Sequence, residues 1–225
     1  MWTNAELKEK GKAAFKNNYW RCVLVALILS ILTAGSTTTG QSNQIKNADT
    51  SNIPNEQAAA IMTIVAGIIV VFAIVWILLR IFLLNPLEVG CQTFLKENLN
   101  EPVKLDRLKA GFSDYKRVVY TIFLRDCYLA LWFLLLIIPG IIKSYSYRMV
   151  PFILMDDPEL STKEVITKSR EMMNGQKWRA FLLDLSFIGW FILGILTCGL
   201  VSLFYADPYM RSTRAALYVK LRDNA

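Results

Sequence analysis

The chain contains no histidine, which removes the commonest general base and the commonest transition-metal ligand from any mechanism it could run. Cysteine is scarce as well. Its four residues, Cys22, Cys91, Cys127 and Cys198, show no CxxC spacing, and three fall inside apolar runs, where a thiol packs as a small hydrophobe. Neither a disulfide framework nor a metal site is expected. Acidic residues are outnumbered, 18 against 25 Lys and Arg, yet no aromatic-basic binding motif accompanies the net charge of +7, so a nucleic-acid partner is not expected. A phosphate-binding glycine loop and a nucleophile–base set are also missing. The expectation is therefore a protein without cofactor and without a catalytic reaction, an intramembrane enzyme being the least favoured reading.

What the chain has in abundance is apolar sequence. With 54% hydrophobic residues it is too apolar for an ordinary soluble fold, and at 225 residues it reads as one domain. Long apolar runs at 22–39, 58–84, 118–142 and 180–206 reach the ~20 residues that cross a hydrocarbon core. Most of the Lys and Arg residues lie between these runs, at 1–21, 85–117, 157–179 and 207–225. Loops retained on the cytoplasmic side carry such an excess. The expected class is all-α, a polytopic transmembrane bundle in a bacterial cytoplasmic membrane, with both ends inside and the anionic inner leaflet as partner. The run after the first basic segment also resembles a secretory signal ending at Thr33-Ala34-Gly35.

Four spans would leave the basic residues of 143–179 outside. Residues 118–155 are also about 57 Å long as one helix, nearly twice a ~30 Å core. A break at Pro139-Gly140, and another at Thr197-Cys198-Gly199, gives six spans arranged as three helical hairpins: about 20–39, 58–84, 118–138, 140–156, 180–197 and 199–218. The Asn/Gln/Ser-rich stretch 40–57 then becomes an external loop. Should the last span fail, its polar residues suit an amphipathic surface helix.

An internal repeat supports the retention of the first run. Phe15-Lys16-Asn17-Asn18-Tyr19-Trp20-Arg21 aligns with Met173-Asn174-Gly175-Gln176-Lys177-Trp178-Arg179, and a weaker copy ends at Lys116-Arg117. Each copy joins an amphipathic cytoplasmic helix, about 4–16, 102–112 and 161–174, to an apolar run. Ser161 and Glu164 have the spacing of a capping box. Trp20, Arg21, Trp178 and Arg179 are the expected interfacial anchors, because Trp rests at headgroup level and Arg reaches phosphates.

Ionisable residues inside apolar runs mark function by default, although those near an interface can snorkel, as Arg80 is expected to do. Arg125, Asp126 and Asp184 lie at similar depth from the cytoplasmic side, so an Arg125–Asp184 pair is expected. Asp207, Arg211 and Arg214 share one helical face and, with Arg148, would line a polar cavity. Arg125, Asp126, Arg148, Asp184, Asp207 and Arg211 are thus the candidate intramembrane site. They would either bind an anionic ligand or pair with one another to lock the bundle.

Several segments resemble a family of bacterial integral membrane proteins, domain of unknown function 975. They are Trp2-Thr3 with Leu7-Lys8, Asn18-Tyr19-Trp20, NPLEVG at 85–90, LLLIIPGIIKSYSY at 134–147, PFILMDDP at 151–158, Ser169, residues 173–178, LSFIGW at 185–190, Pro208-Tyr209 and Leu217-Tyr218. The resemblance implies a multi-pass membrane protein with no assigned activity. It extends distantly to the membrane domain accompanying some glycerophosphodiester phosphodiesterases, whose metal-binding carboxylates have no counterpart in this chain. Two functions follow as expectations. The first is binding or moving a lipid or other small amphiphile. The second is a structural or scaffolding role, recruiting a protein partner or a second copy through the amphipathic helices.

Overall fold

The computed structural model describes residues 2–34, 55–197 and 199–223. Eleven α-helices follow among these residues: α1 (Asn4–Asn17), α2 (Tyr19–Ala34), α3 (Asn55–Leu79), α4 (Asn85–Glu97), α5 (Tyr115–Leu135), α6 (Ile137–Ser146), α7 (Val150–Asp156), α8 (Thr162–Met172), α9 (Lys177–Leu185), α10 (Ile188–Leu196) and α11 (Asp207–Arg222). A π-helical turn, Arg80–Leu84, joins α3 to α4, another, Ser202–Ala206, leads into α11, and Leu105–Phe112 is a 3-10 helix. No strand occurs among the described residues.

Among the described residues, three helical stretches are long and apolar enough to cross a membrane: Met62–Glu97, Tyr115–Leu135 and Lys177–Leu196. The six-span, three-hairpin arrangement is not what the helix lengths support. The expected span 140–156 is interrupted around Tyr147, leaving α6 and α7, of 10 and 7 residues, at about 15 and 10 Å each too short for a ~30 Å core. The buried side chains of α7, Val150 through Leu154, belong to the core. The expected span 199–218 resolves into a π turn and α11, whose Ala215–Tyr218 stretch is buried. Residues 35–39 of the first expected span, most of the expected external loop, and Cys198 lie outside the described residues.

The break after α5 falls at Leu136, which is extended (φ −160°, ψ 142°), and not at Pro139-Gly140. Both residues sit in the first turn of α6, where a backbone N–H has no intrahelical acceptor and proline loses little. α6 then packs back along α5.

The segments expected to form amphipathic helices pack inward. Thr3 caps α1 by accepting from the Glu6 N–H at 3.2 Å. Leu7, Gly11, Ala14 and Phe15 bury against α11, while Lys10, Lys12 and Lys16 stay exposed. α8 carries the expected capping box, with the Glu164 carboxylate accepting from the Ser161 N–H at 2.7 Å. Its Val165, Ile166 and Ser169 are buried. The third such element, expected over 102–112, is the 3-10 helix, and it packs on α4 closely enough for backbone to touch backbone. A Cβ on Gly90 would lie 2.0 Å from the Leu108 carbonyl oxygen, and one on Gly111 1.8 Å from that of Pro86.

That contact makes a prediction. Gly90→Ala and Gly111→Ala should each force α4 and the 3-10 helix apart, at a cost of about 1–3 kcal/mol read from thermal unfolding in detergent. Gly67 in α3 has no neighbour within 4 Å of a new Cβ, so Gly67→Ala should instead be neutral or slightly stabilising. Equal losses at all three positions would show that helix geometry, and not close packing, sets the response.

Candidate functional site

The six candidate intramembrane residues separate into three ionic groups. Arg125, on α5 and 8% exposed, reaches Glu88 of α4 at 3.2 Å and donates from Nε to Asp126 at 2.9 Å. Asp184, on α9, accepts from Arg148 at 2.7 Å, from Arg214 of α11 at 3.2 Å and from the Tyr145 hydroxyl at 3.0 Å. Asp207 accepts from Ser30 of α2 at 2.5 Å and lies 3.9 Å from Arg211 on the next helical turn.

The expected Arg125–Asp184 pair is therefore replaced by two separate pairings. Equal depth along two helices leaves their rotation about their own axes open, and here Arg125 faces α4 while Asp184 faces α11 and the end of α6. Glu88 was the missed partner. It follows the second apolar run and reads as part of a basic loop, yet Leu87 and Val89 beside it continue the apolar sequence, the signal that α4 is part of the packed core. The groups also influence one another, since the charge of Arg211 acts on Glu88 and on Arg214. Arg148 Nη1 and Arg211 Nε are buried with no acceptor among the described residues.

A second ionic hub lies at Asp156, in the PFILMDDP segment. It pairs with Lys96 of α4, and it accepts from the Tyr218 hydroxyl at 2.8 Å and from Arg222 of α11 at 3.0 Å. Burial works against its charge, but Lys96, Tyr218 and Arg222 together hold the carboxyl below its ordinary value. Asp156 is a tie between α4, α7 and α11, and no pattern in the sequence distinguishes it from neighbouring Asp157.

The expected interfacial tryptophans are both exposed, Trp20 by 74% and Trp178 by 68%. Their arginine neighbours engage the protein: Arg21 donates to the Val103 carbonyl at 3.0 Å, and Arg179 stacks over the Trp2 ring at 5.3 Å.

None of these charges lines the groove that opens between α5, α6 and α8, a space of about 680 Å³. Its apolar wall is Leu131, Trp132 and Leu135; its polar wall is Lys143, Lys163 and Arg170. Lys163, Ile166, Thr167 and Arg170 share one face of α8 by i, i+3, i+4, i+7 spacing. That helix is held firmly. Thr121 and Thr162 hydroxyls meet at 2.9 Å, Ser169 donates to the Ser146 carbonyl at 2.8 Å, and the Arg117 guanidinium donates to the carbonyls of Leu154, Asp157 and Leu160 at 2.8–3.1 Å. Lys143 lies over the Trp132 ring at 4.6 Å, and burial, with the charges of Arg170 and Lys177 behind it, holds its ammonium below the ordinary lysine value. The sequence pattern places Lys143 inside a span and Lys163 and Arg170 on a cytoplasmic amphipathic helix, so nothing in it suggests that they meet.

Among the described residues the chain is helical, and three of its helical stretches are long and apolar enough to cross a membrane, which fits a helical membrane protein. The profile of the family described as "Protein of unknown function (DUF975)" matches residues 61–225, and the chain belongs to that family. No curated protein and no solved structure matches it.

The ion pairs make the second prediction. Arg125→Leu should strand Glu88 and lower stability by about 3–5 kcal/mol, Glu88→Leu, which leaves Arg125 its Asp126 partner, should cost less, and the double variant should recover much of the Arg125→Leu loss. Arg125→Leu and Asp184→Leu should be additive. Thermal unfolding of the two double-mutant cycles in one detergent decides it; strong coupling in the second would contradict the pairing described.

Proposed function

We propose that this chain is a non-enzymatic membrane protein that binds or moves a small amphiphile, set in a bacterial cytoplasmic membrane with its basic segments and both ends inside. The groove between α5, α6 and α8 carries the reading. One wall is apolar and the other cationic, as an amphiphile requires, and at about 680 Å³ it falls within the range of ordinary ligand sites. The apolar wall leads to an exposed apolar tip, Leu134 through Ile138 with Ile141 and Ile142, that lipid would cover.

The intramembrane charges that the sequence offered as the site serve better as locks, since each carboxylate among them already has a cationic partner. The scaffolding alternative has less support. It needs free apolar faces on the amphipathic helices, and those of α1 and α8 are used up inside the chain. Trp20 and Trp178 remain proposed anchors at headgroup level.

Orientation is tested with single cysteines at Asn52, Glu159 and Asn224 in a background lacking the four native ones. An impermeant reagent should label only Asn52→Cys in intact cells. Labelling at Glu159→Cys would reverse the proposed orientation of the α7–α8 connection. Ligand binding is tested with a photoactivatable acyl-chain lipid on the purified full chain. Crosslinks should concentrate on peptides carrying Leu131, Trp132 and Leu135 and fall at least severalfold in Leu131→Trp, which fills the groove. Crosslinks confined to α3 would mean that lipid merely coats the protein.

A further inference from the structure

Cations packed on the core elsewhere in this chain find carboxylates: Lys96 has Asp156, Arg125 has Glu88, and Arg148 and Arg214 have Asp184. Lys168, one turn from the groove on α8, has Asp157 at 2.8 Å. The groove breaks this habit. Three cations line it, no carboxylate does, and among the described residues Lys143, Lys163 and Arg170 make no ion pair. Arg170 and Lys177 are near enough for their charges to act on Lys143. Like charges converging at a half-buried position cost free energy unless an anion joins them.

The surroundings say what kind of anion. Lys143 follows directly on the exposed apolar tip, and Ile137 and Lys143, six residues apart, are separated by about 9 Å along α6. An apolar element that rests in the boundary of a leaflet is buried about 5–10 Å below the headgroups. With the tip in hydrocarbon, Lys143 stands at the level of the lipid phosphates, with Trp132 beneath its ammonium and the exposed Trp178 on α9, a helix that packs on α6, the residue type that favours that depth.

We infer that the groove selects a lipid with an anionic, phosphate-bearing headgroup, which Lys143, Lys163 and Arg170 bind while an acyl chain lies along Leu131, Trp132 and Leu135. The inference rests on the amphiphile-binding reading and adds to it the class of headgroup. The guanidinium of Arg170 offers paired donors to phosphate oxygens, and the two ammonium groups act as point charges. The turn from α5 to α6 then enters the same leaflet as its ligand and does not traverse the membrane.

The test uses the purified full chain in a mild neutral detergent, with native mass spectrometry and titration of phosphatidylglycerol, of phosphatidylcholine of the same chain length, and of glycerol phosphate. At about 1 kcal/mol for each cation, the anionic lipid should bind on the order of a hundredfold tighter than the zwitterionic one. That preference should weaken with added salt and vanish in the triple variant Lys143→Gln, Lys163→Gln, Arg170→Gln. The variant should keep its thermal midpoint, because it removes no ion pair. Should it fail to fold, Lys163→Gln alone, at an exposed position, should still reduce the preference severalfold. Equal affinity for the two lipids, both displaced by Leu131→Trp, overturns the headgroup class and leaves the amphiphile reading standing. Saturable binding of neither lipid overturns both. Glycerol phosphate binding as tightly as the anionic lipid assigns the site to a soluble phosphate compound and overturns the lipid.

Discussion

Arginine side chains can be buried among apolar helices only if each meets a carboxylate, and this requirement organises the core of the protein. Glu88 ties α4 to α5 through Arg125, Asp184 ties α9 to α11 through Arg214 and to the end of α6 through Arg148, and Asp156 joins α7, α4 and α11. The partners are far apart in sequence and come from separate helices, so the pairs fix how helices are rotated against one another. An apolar contact is indifferent to small rotations. A charge whose partner turns away is left uncompensated at several kcal/mol, which makes such pairs effective at specifying one arrangement.

Against this closed core, the apolar surface outside it is disposed for lipid. α3 is exposed along its length from Met62, and the tips at Leu134–Ile138 and at Ile195, Leu196 and Leu200 leave leucine and isoleucine uncovered. In water such surface would drive aggregation; in a bilayer it costs nothing. The polar helix α8 beside the second half of α5 qualifies the reading of α5 as a span, because one side of a stretch apolar enough to cross a membrane is taken by Lys163 and Arg170.

The groove lies where these two regimes meet. Its apolar wall continues the exposed tip and its cationic wall belongs to a helix fixed by Arg117, Thr121 and Ser169 to the core. Fixed helices hold these charges in one geometry. The arginine pairs and the groove therefore divide the chain's excess positive charge between two uses. One part closes the fold, and the other remains open at its surface.

Much of this architecture was legible in residues alone. Alternation of apolar runs with basic segments gave the helical membrane class; Ser161 and Glu164 gave the start of α8; Leu7, Gly11, Ala14 and Phe15 gave the buried face of α1. These are local properties, decided by side chains three or four residues apart on one helix. The number of spans was not local. Pro139-Gly140 looks like a break, but whether proline interrupts a helix or sits in its first turn depends on where the preceding chain bends, and here Leu136 bends first. Nor could depth along a helix reveal that Arg125 faces Glu88, or that Lys143, Lys163 and Arg170 converge without a carboxylate. The sequence by itself determined that the chain builds helices and, for α1 and α8, which face is apolar, because both follow from spacing within a turn. Only the tertiary structure decided which charges meet a carboxylate and which do not, because that depends on the rotation of one helix against another.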